Sequence, residues 1–166
     1  IQQPSTHLIS QHFVKAFDLK FVDEKEKEKT PWLTCYGPCM SRILASVISI
    51  HGDDNGLVLP PKLAPIQVVF VPIYKNEEEL SKISEKVHEL KKSLEAKGIT
   101  VQYDDRDNCK PGFKFAEYEM KGYPIRIAIG PKDLEKGTVE IARRDTLTKQ
   151  FVNQNVVAEF VENLLK

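Results

Sequence analysis

The sequence predicts an α/β protein: a mixed sheet with helices on both faces over residues 64–166, preceded by an incomplete antiparallel α+β segment over residues 1–63. Three observations carry this prediction. Residues 66–71, Ile-Gln-Val-Val-Phe-Val, form an apolar, β-branched run, the pattern of a central strand buried on both sides. Over residues 77–97, Leu80, Ile83, Val87, Leu90 and Leu94 recur at three- and four-residue steps, which gives a helix one core stripe. The predicted elements of the second part then run β-α-β-α-β-β-β-α, an order that short connections fold into layers around a mixed sheet.

Taken in order, residues 10–17 read as a helix with Phe13, Val14 and Phe17 on one face. Leu19-Lys20-Phe21-Val22 alternates as a strand. The charge run Asp23-Glu24-Lys25-Glu26-Lys27-Glu28-Lys29 reads as a solvated hairpin tip without specific function. A return strand spans 31–36, and a buried helix follows through the apolar residues 43–50. Gly52-Asp53-Asp54-Asn55-Gly56 breaks that helix with turn chemistry. Pro60, Pro61 and Pro65 predict a stiff, extended connector. The helix over 77–97 opens on Glu77, Glu78 and Glu79, which suits the positive end of its dipole, and Gly98 stops it. A strand at 99–103 comes next. A helix at 112–121 is introduced by Pro111 and closed by Gly122. Strands at 125–129, 138–142 and 146–151 and a helix at 156–165 complete the order. No internal repeat is present.

Composition narrows the function classes. The 166 residues carry 24 basic and 24 acidic side chains, split 7 and 7 before Ala64 and 17 and 17 from it onward. Neither part has the basic excess of a non-specific nucleic-acid binder, so any nucleic-acid recognition must use a local patch. No window approaches the ~20 apolar residues of a bilayer span, so no membrane is expected. Cys35, Cys39 and Cys109 fit a reduced, cytoplasmic chain. Cys35 and Cys39 lack two further ligands at zinc spacing, so they read as thiols and no metal site is expected. His51 and His88 read as turn and surface residues. The chain starts at Ile1 without a methionine or a charged-then-apolar leader, and it reads as an excised piece of something longer.

Residues 34–42, Thr-Cys-Tyr-Gly-Pro-Cys-Met-Ser-Arg, carry the most chemistry. A glycine turn delivers one arginine to the start of an apolar helix. A helix N-terminus presents unpaired N–H groups and about half a positive charge, and a guanidinium adds donors suited to phosphate. The turn therefore favours an anionic ligand, above all a nucleotide polyphosphate.

These residues resemble a known family. Gly37-x-x-x-Ser41-Arg42 before an apolar helix is similar to motif 3 of class II aminoacyl-tRNA synthetases. The segment from His51 through Gly52-Asp53-Asp54-Asn55-Gly56-Leu57-Val58-Leu59-Pro60-Pro61-Lys62 to Val69 is more specific. It resembles the join between the catalytic and anticodon-binding domains of prolyl-tRNA synthetases. Asp104-Asp105-Arg106-Asp107-Asn108-Cys109-Lys110-Pro111-Gly112-Phe113-Lys114-Phe115, Lys121-Gly122-Tyr123-Pro124-Ile125-Arg126-Ile127 and Gly130-Pro131-Lys132-Asp133-Leu134-Glu135-Lys136-Gly137 continue the likeness in order. It covers nearly the whole chain.

The resemblance implies a C-terminal piece of a class II catalytic domain over residues 1–63 and an anticodon-binding domain over 64–166. Motifs 1 and 2 of the family would lie before Ile1, so this piece alone is expected to be inactive. By the match, Arg42 is the catalytic residue at the ATP γ-phosphate, and Gln2 and Ser5 hydrogen-bond ATP. Ser5 keeps the hydroxyl of the family's usual threonine, whereas Leu8 replaces a frequent second histidine. His7, Cys35, Tyr36 and Gly37 would bind proline, with Thr34 also on the pocket floor. In the second part, Phe115, Glu119, Arg126, Lys132 and Asp133 match positions that read the proline anticodon, whose second and third bases are guanine. Arg143-Arg144 is a candidate contact to the tRNA backbone.

The implied activity is that of a ligase: ATP-dependent activation of L-proline and its transfer to the matching tRNA. Mg2+ accompanies ATP, and the full-length enzyme is a homodimer. The alternative is a non-catalytic RNA-binding paralogue with the same anticodon-domain fold, against which His7 and Arg42 argue. A generic nucleotide-binding protein is disfavoured because no phosphate-cradling glycine-rich loop follows a strand.

Overall fold

The structure, a computed structural model, describes residues 4–166. Contacts between Cα atoms divide the chain into two units, Ile1–Ser46 and Val47–Lys166.

The second unit is built on β5 (Val68–Pro72), whose five residues are all buried. β6 (Val101–Tyr103) and β7 (Ile125–Ile129) flank it in parallel. β8 (Thr138–Arg143) and β9 (Lys149–Asn153) continue antiparallel, giving the order β6-β5-β7-β8-β9. The mixed sheet expected from the element order is therefore present. α3 (Glu77–Glu95) leads from β5 to β6, and α4 (Pro111–Met120) from β6 to β7. The two crossovers run in opposite directions across β5, and right-handed connections then put their helices on opposite faces.

The two faces are covered unequally. Ile83, Val87, Leu90 and Leu94 of α3 and Val157 and Val161 of α6 (Val157–Leu164) close over Val68, Phe70, Ile127 and Ile141. On the other face, Tyr118 and the half-buried Phe115 of α4 cover only Val69 and Val71. Phe151 of β9, on this same face, is left 68% exposed. This uneven roofing positions the site described below.

Outside the sheet, two features of the second unit depart from the sequence reading. Pro60 and its neighbours form a helical turn rather than an extended connector, because the Leu63 and Ala64 amides donate to the Pro60 carbonyl at 2.8 and 3.1 Å. Proline suits such a first turn, where its missing N–H is not needed. The six-residue α5 (Pro131–Lys136) was not foreseen, although Pro131 at its start and Gly137 at φ 65° after its end are the expected boundary residues.

Ahead of that turn, the Leu57 and Leu59 amides donate to the carbonyls of Met120 and Gly122 at 2.9 and 3.2 Å. Glycine is required at this approach: a Cβ on Gly122, at φ 74°, would sit 2.6 Å from the Leu57 carbonyl oxygen.

The first unit is a pair of ribbons. β1 (Ser5–Ser10) pairs antiparallel with β4 (Leu33–Gly37), and β2 (Phe21–Val22) with β3 (Glu28–Lys29). α1 (His12–Ala16) lies between β1 and β2. The charge run does form a hairpin tip, organised by the Asp23 carboxylate, which accepts the Lys25 and Lys27 amides and pairs with Lys29 at 2.7 Å. β1 was not foreseen as a strand. The helix expected to be buried is also a correction. α2 (Met40–His51), whose residues from Val47 onward belong to the second unit, forms where it should, but Leu44, Ile48 and Ile50 are exposed. Val14 is the one buried hydrophobic residue among the described residues of this unit. Two-stranded ribbons and a five-residue helix offer too little apolar surface to cover another helix.

Candidate functional site

Two constellations of predicted residues take shape, one in each unit. In the first, antiparallel pairing supplies what sequence distance hides. β1 and β4 set Ser5 opposite Gly37 and His7 opposite Cys35. Directly paired residues and those two apart share a face, so Ser5, His7, Cys35 and Gly37 project together. Ser5 Oγ and His7 Nε2 share a hydrogen bond of 2.9 Å. Tyr36 pairs with Thr6 and so lies on the opposite face, 76% exposed. Thr34 shares that opposite face with Tyr36. Gln2 lies outside the described residues. Arg42 is exposed on the first turn of α2, five residues beyond Gly37. Among the described residues, no group of three His, Cys, Asp or Glu side chains converges as a metal site.

The second constellation is a pocket on the open face of the sheet, at the side of α4. Phe115, Tyr118 and Glu119 reach it from α4, Arg126 from β7, Ala142 from β8 and Lys149 from β9. The Arg126 guanidinium carbon lies over the Phe115 ring, 3.7 Å from its centroid. Its Nη1 also meets the Glu140 carboxylate at 3.4 Å. Burial pulls the Arg126 pKa down, while Glu140 and Glu119 oppose that pull. An arginine so placed keeps its charge and holds one fixed orientation.

Buried hydrogen bonds hold the pocket floor. Tyr118 and Tyr123 pack with ring centroids 4.9 Å apart. The Tyr118 hydroxyl donates to the Asp104 carboxylate at 2.9 Å, and Tyr123 donates to Gln102 at 3.1 Å. Arg106 forks onto Asp104 at 2.9 and 2.8 Å. The buried Lys114 ammonium donates to the Asp104 and Arg106 carbonyls at 3.0 and 2.5 Å. Burial alone would raise the Asp104 pKa, but the bonds from Arg106 and Tyr118 and the charge of Lys114 outweigh it and hold the carboxyl well below its usual range. Burial, and then the bond to Asp104, push Tyr118 up, so its hydroxyl stays a donor. The residues around Asp104 singled out in the sequence therefore act as a scaffold beneath the pocket.

Arg144 fixes the pocket's edge. Its Nη1 and Nη2 donate to both Asp53 oxygens at 2.7 and 2.6 Å, and its Nε donates to the Glu119 carbonyl at 2.7 Å. Its side chain is only 3% exposed. That fork binds the turn at 53–56 to the end of α4, beside the Glu119 carboxylate. Arg143 instead forks onto Asp145 at 2.9 and 2.6 Å.

Phe115, Glu119 and Arg126 thus meet in one pocket, while Lys132 and Asp133 do not join them. Arg126 sits near the start of β7, whereas Lys132 and Asp133 follow its end at Ile129, itself roughly 10 Å along the strand from Arg126 at ~3.3 Å per residue. Lys132 is exposed there, and Asp133 Oδ2 accepts the Gly130 amide at 2.9 Å, capping α5. Sequence reading missed Leu147, Lys149 and Glu140. Lys149 lies within the strand expected at 146–151, which the structure has at 149–153, but its alternation does not show which face of the sheet is left open.

Chemically, the pocket offers an aromatic-backed guanidinium beside two carboxylates. A carboxylate accepts from the N1 and N2 groups of an unpaired guanine, and a cation addresses its O6 and N7. No helix among the described residues is long and apolar enough to cross a membrane.

Comparison with known proteins adds to this geometry. The chain is similar over 165 residues to a proline–tRNA ligase of Christiangramia forsetii, at 54% identity over 99% of this chain and 33% of that protein. It is 52% identical over 165 residues to a proline–tRNA ligase of Porphyromonas gingivalis, again over 99% and 33%. A proline–tRNA ligase of Parabacteroides distasonis is 51% identical over 166 residues, 100% of this chain and 34% of that protein. The chain spans about a third of the length of these curated relatives. A family model described as the anticodon binding domain matches residues 67–164, the residues that carry the five-stranded sheet and its pocket. The chain belongs to the HGTP anticodon-binding domain family.

Proposed function

We propose that this chain is the anticodon-reading and motif 3 portion of a proline–tRNA ligase. Residues 64–166 bind the anticodon loop of the tRNA for proline, and residues 1–63 contribute one wall of the site for ATP and L-proline. The observation that carries the reading is the pocket in which Arg126 lies on Phe115 beside Glu119. Such a site takes an unpaired guanine: the Glu119 carboxylate accepts its N1 and N2 protons while a cation meets O6 or N7. Lys132 and Asp133, at the other end of β7, serve a neighbouring nucleotide or its phosphate.

The pairing of Ser5 with Gly37 and His7 with Cys35 supports the second half of the proposal. In this reading Ser5 and Gln2 hold ATP, and His7, Cys35 and Gly37 approach the imino acid, while Tyr36, expected to bind proline, lies on the opposite face of the ladder. Arg42 stabilises the charge of the triphosphate as pyrophosphate leaves. The work of these residues is positioning and charge stabilisation, with no side chain acting as obligatory acid or base. Mg2+ enters bound to ATP. The full-length enzyme acts in the cytoplasm as a homodimer.

The test is a titration of the 166-residue chain with a proline-anticodon stem-loop, and with one whose two anticodon guanines are replaced by adenine. The guanine loop is expected to bind about tenfold or more tightly, and Arg126→Ala to weaken it by ~1–3 kcal/mol, with the far-ultraviolet spectrum unchanged. Equal affinity for both loops would sink the proposal.

A further inference from the structure

We infer that the open face of β9 extends the RNA interface: Phe151 stacks on the unpaired nucleotide that adjoins the anticodon triplet, and Lys149 holds its phosphate. This rests on the reading of the pocket as the anticodon site. Lys149 and Phe151 are two residues apart on one strand, so both face the pocket side of the sheet. Lys149 pairs with Ala142, which pairs in turn with Arg126. Phe151 pairs with Glu140, whose carboxylate meets Arg126 at 3.4 Å. Phe115 of α4 and Arg126, Glu140 and Phe151 therefore share one face of the sheet, with Phe151 and Glu140 in register with Ala128, one diagonal step from Arg126. β7 and β9 are two strand spacings apart, roughly 10 Å, too far for one base to stack on both rings. The two rings serve different nucleotides.

Exposure and charge select the occupant. Phe151 is 68% exposed. Leu147, which lines the pocket beside Lys149, is held at φ 56°, a backbone conformation disfavoured for leucine. Lys149 makes no ion pair among the described residues, whereas the nearby Arg143 is spent on Asp145. An unpaired cation beside an exposed ring on an open sheet face suits a splayed nucleotide: the ring takes the base face and the ammonium the phosphate.

The experiment titrates the 166-residue chain with the proline-anticodon stem-loop carrying 2-aminopurine at the position just 3′ or just 5′ of the triplet. Binding is expected to quench the probe at one of the two positions. Phe151→Ala should abolish that quench and weaken binding about tenfold, while Phe151→Trp retains both. Lys149→Ala should lower the slope of log affinity against log salt by about 0.7. Phe151→Ala with unchanged quench and affinity overturns the inference. So does a variant that binds RNA normally but loses self-association in sedimentation, since a second copy would then be the occupant. Arg126→Ala, run in parallel, separates the two proposals. If it weakens binding and Phe151→Ala does not, only this inference falls; if neither changes binding, the anticodon reading falls with it.

Discussion

The second unit buries both faces of its central strand, whereas the first leaves most apolar side chains of its described residues in solvent. Val68, Phe70 and Ile127 are fully buried, while Phe17, Trp32, Met40 and Leu44 are more than half exposed. Both nevertheless bring distant residues into one constellation. In the first unit backbone pairing suffices, because the β1–β4 register alone sets His7 beside Cys35. In the second, packing and buried polar bonds are needed, because Phe115, Glu119 and Arg126 come from different elements. A ladder can align residues without a core; a pocket with a fixed guanidinium cannot be made that way.

The contrast can be broken most forcefully in the core. Leu94→Ala removes a fully buried side chain packed between α3 and the sheet, and is expected to cost ~2–5 kcal/mol in chemical denaturation followed by the fluorescence of the second unit's tyrosines. A loss under ~1 kcal/mol would show that the unit does not depend on this core.

Acid should act next. The bond from Arg144 holds the Asp53 pKa at about 2, against its ordinary 3.8. A carboxyl depressed in the folded state contributes stability that is complete above its unfolded value and fades as pH falls through its folded one. The second unit should therefore lose stability from roughly pH 4 to pH 2, and Asp53→Asn should flatten that part of the curve. Asp104, also held low, contributes in the same direction. An Asp53→Asn variant with an unaltered acid profile would remove the Arg144 fork from the account.

The smallest effect belongs to the first unit. Leu44 is 56% exposed, so Leu44→Ala should change stability by no more than ~0.5 kcal/mol. A loss comparable with that of Leu94→Ala would mean that α2 is covered in solution.

Much of this was legible in advance. The uninterrupted run at 66–71 announced a strand buried on both sides, and β5 is one. The stripe from Ile83 to Leu94 faces the core, as its spacing required. The likeness around residues 104–126 pointed to Phe115, Glu119 and Arg126, which meet in the pocket. Less legible was α5, because six residues are too few to show a helical period. Lys149 and Phe151 escaped because alternation puts them on one face of a strand but does not say which face of the sheet stays open. The scaffold of Asp104, Lys114 and Tyr118 escaped because a buried ion pair leaves no periodic trace in a sequence.

Local chemistry in the chain determined which strand lies at the centre, where α3 starts, and that Arg42 follows Gly37 onto the first turn of α2. These depend on near neighbours, so spacing and propensity record them. Only the tertiary structure decided that Arg126 would lie on Phe115, that Arg144 would fork onto Asp53 and that one face of the sheet would stay open. Those outcomes depend on groups up to 91 residues apart, whose pairing the folded layers alone select.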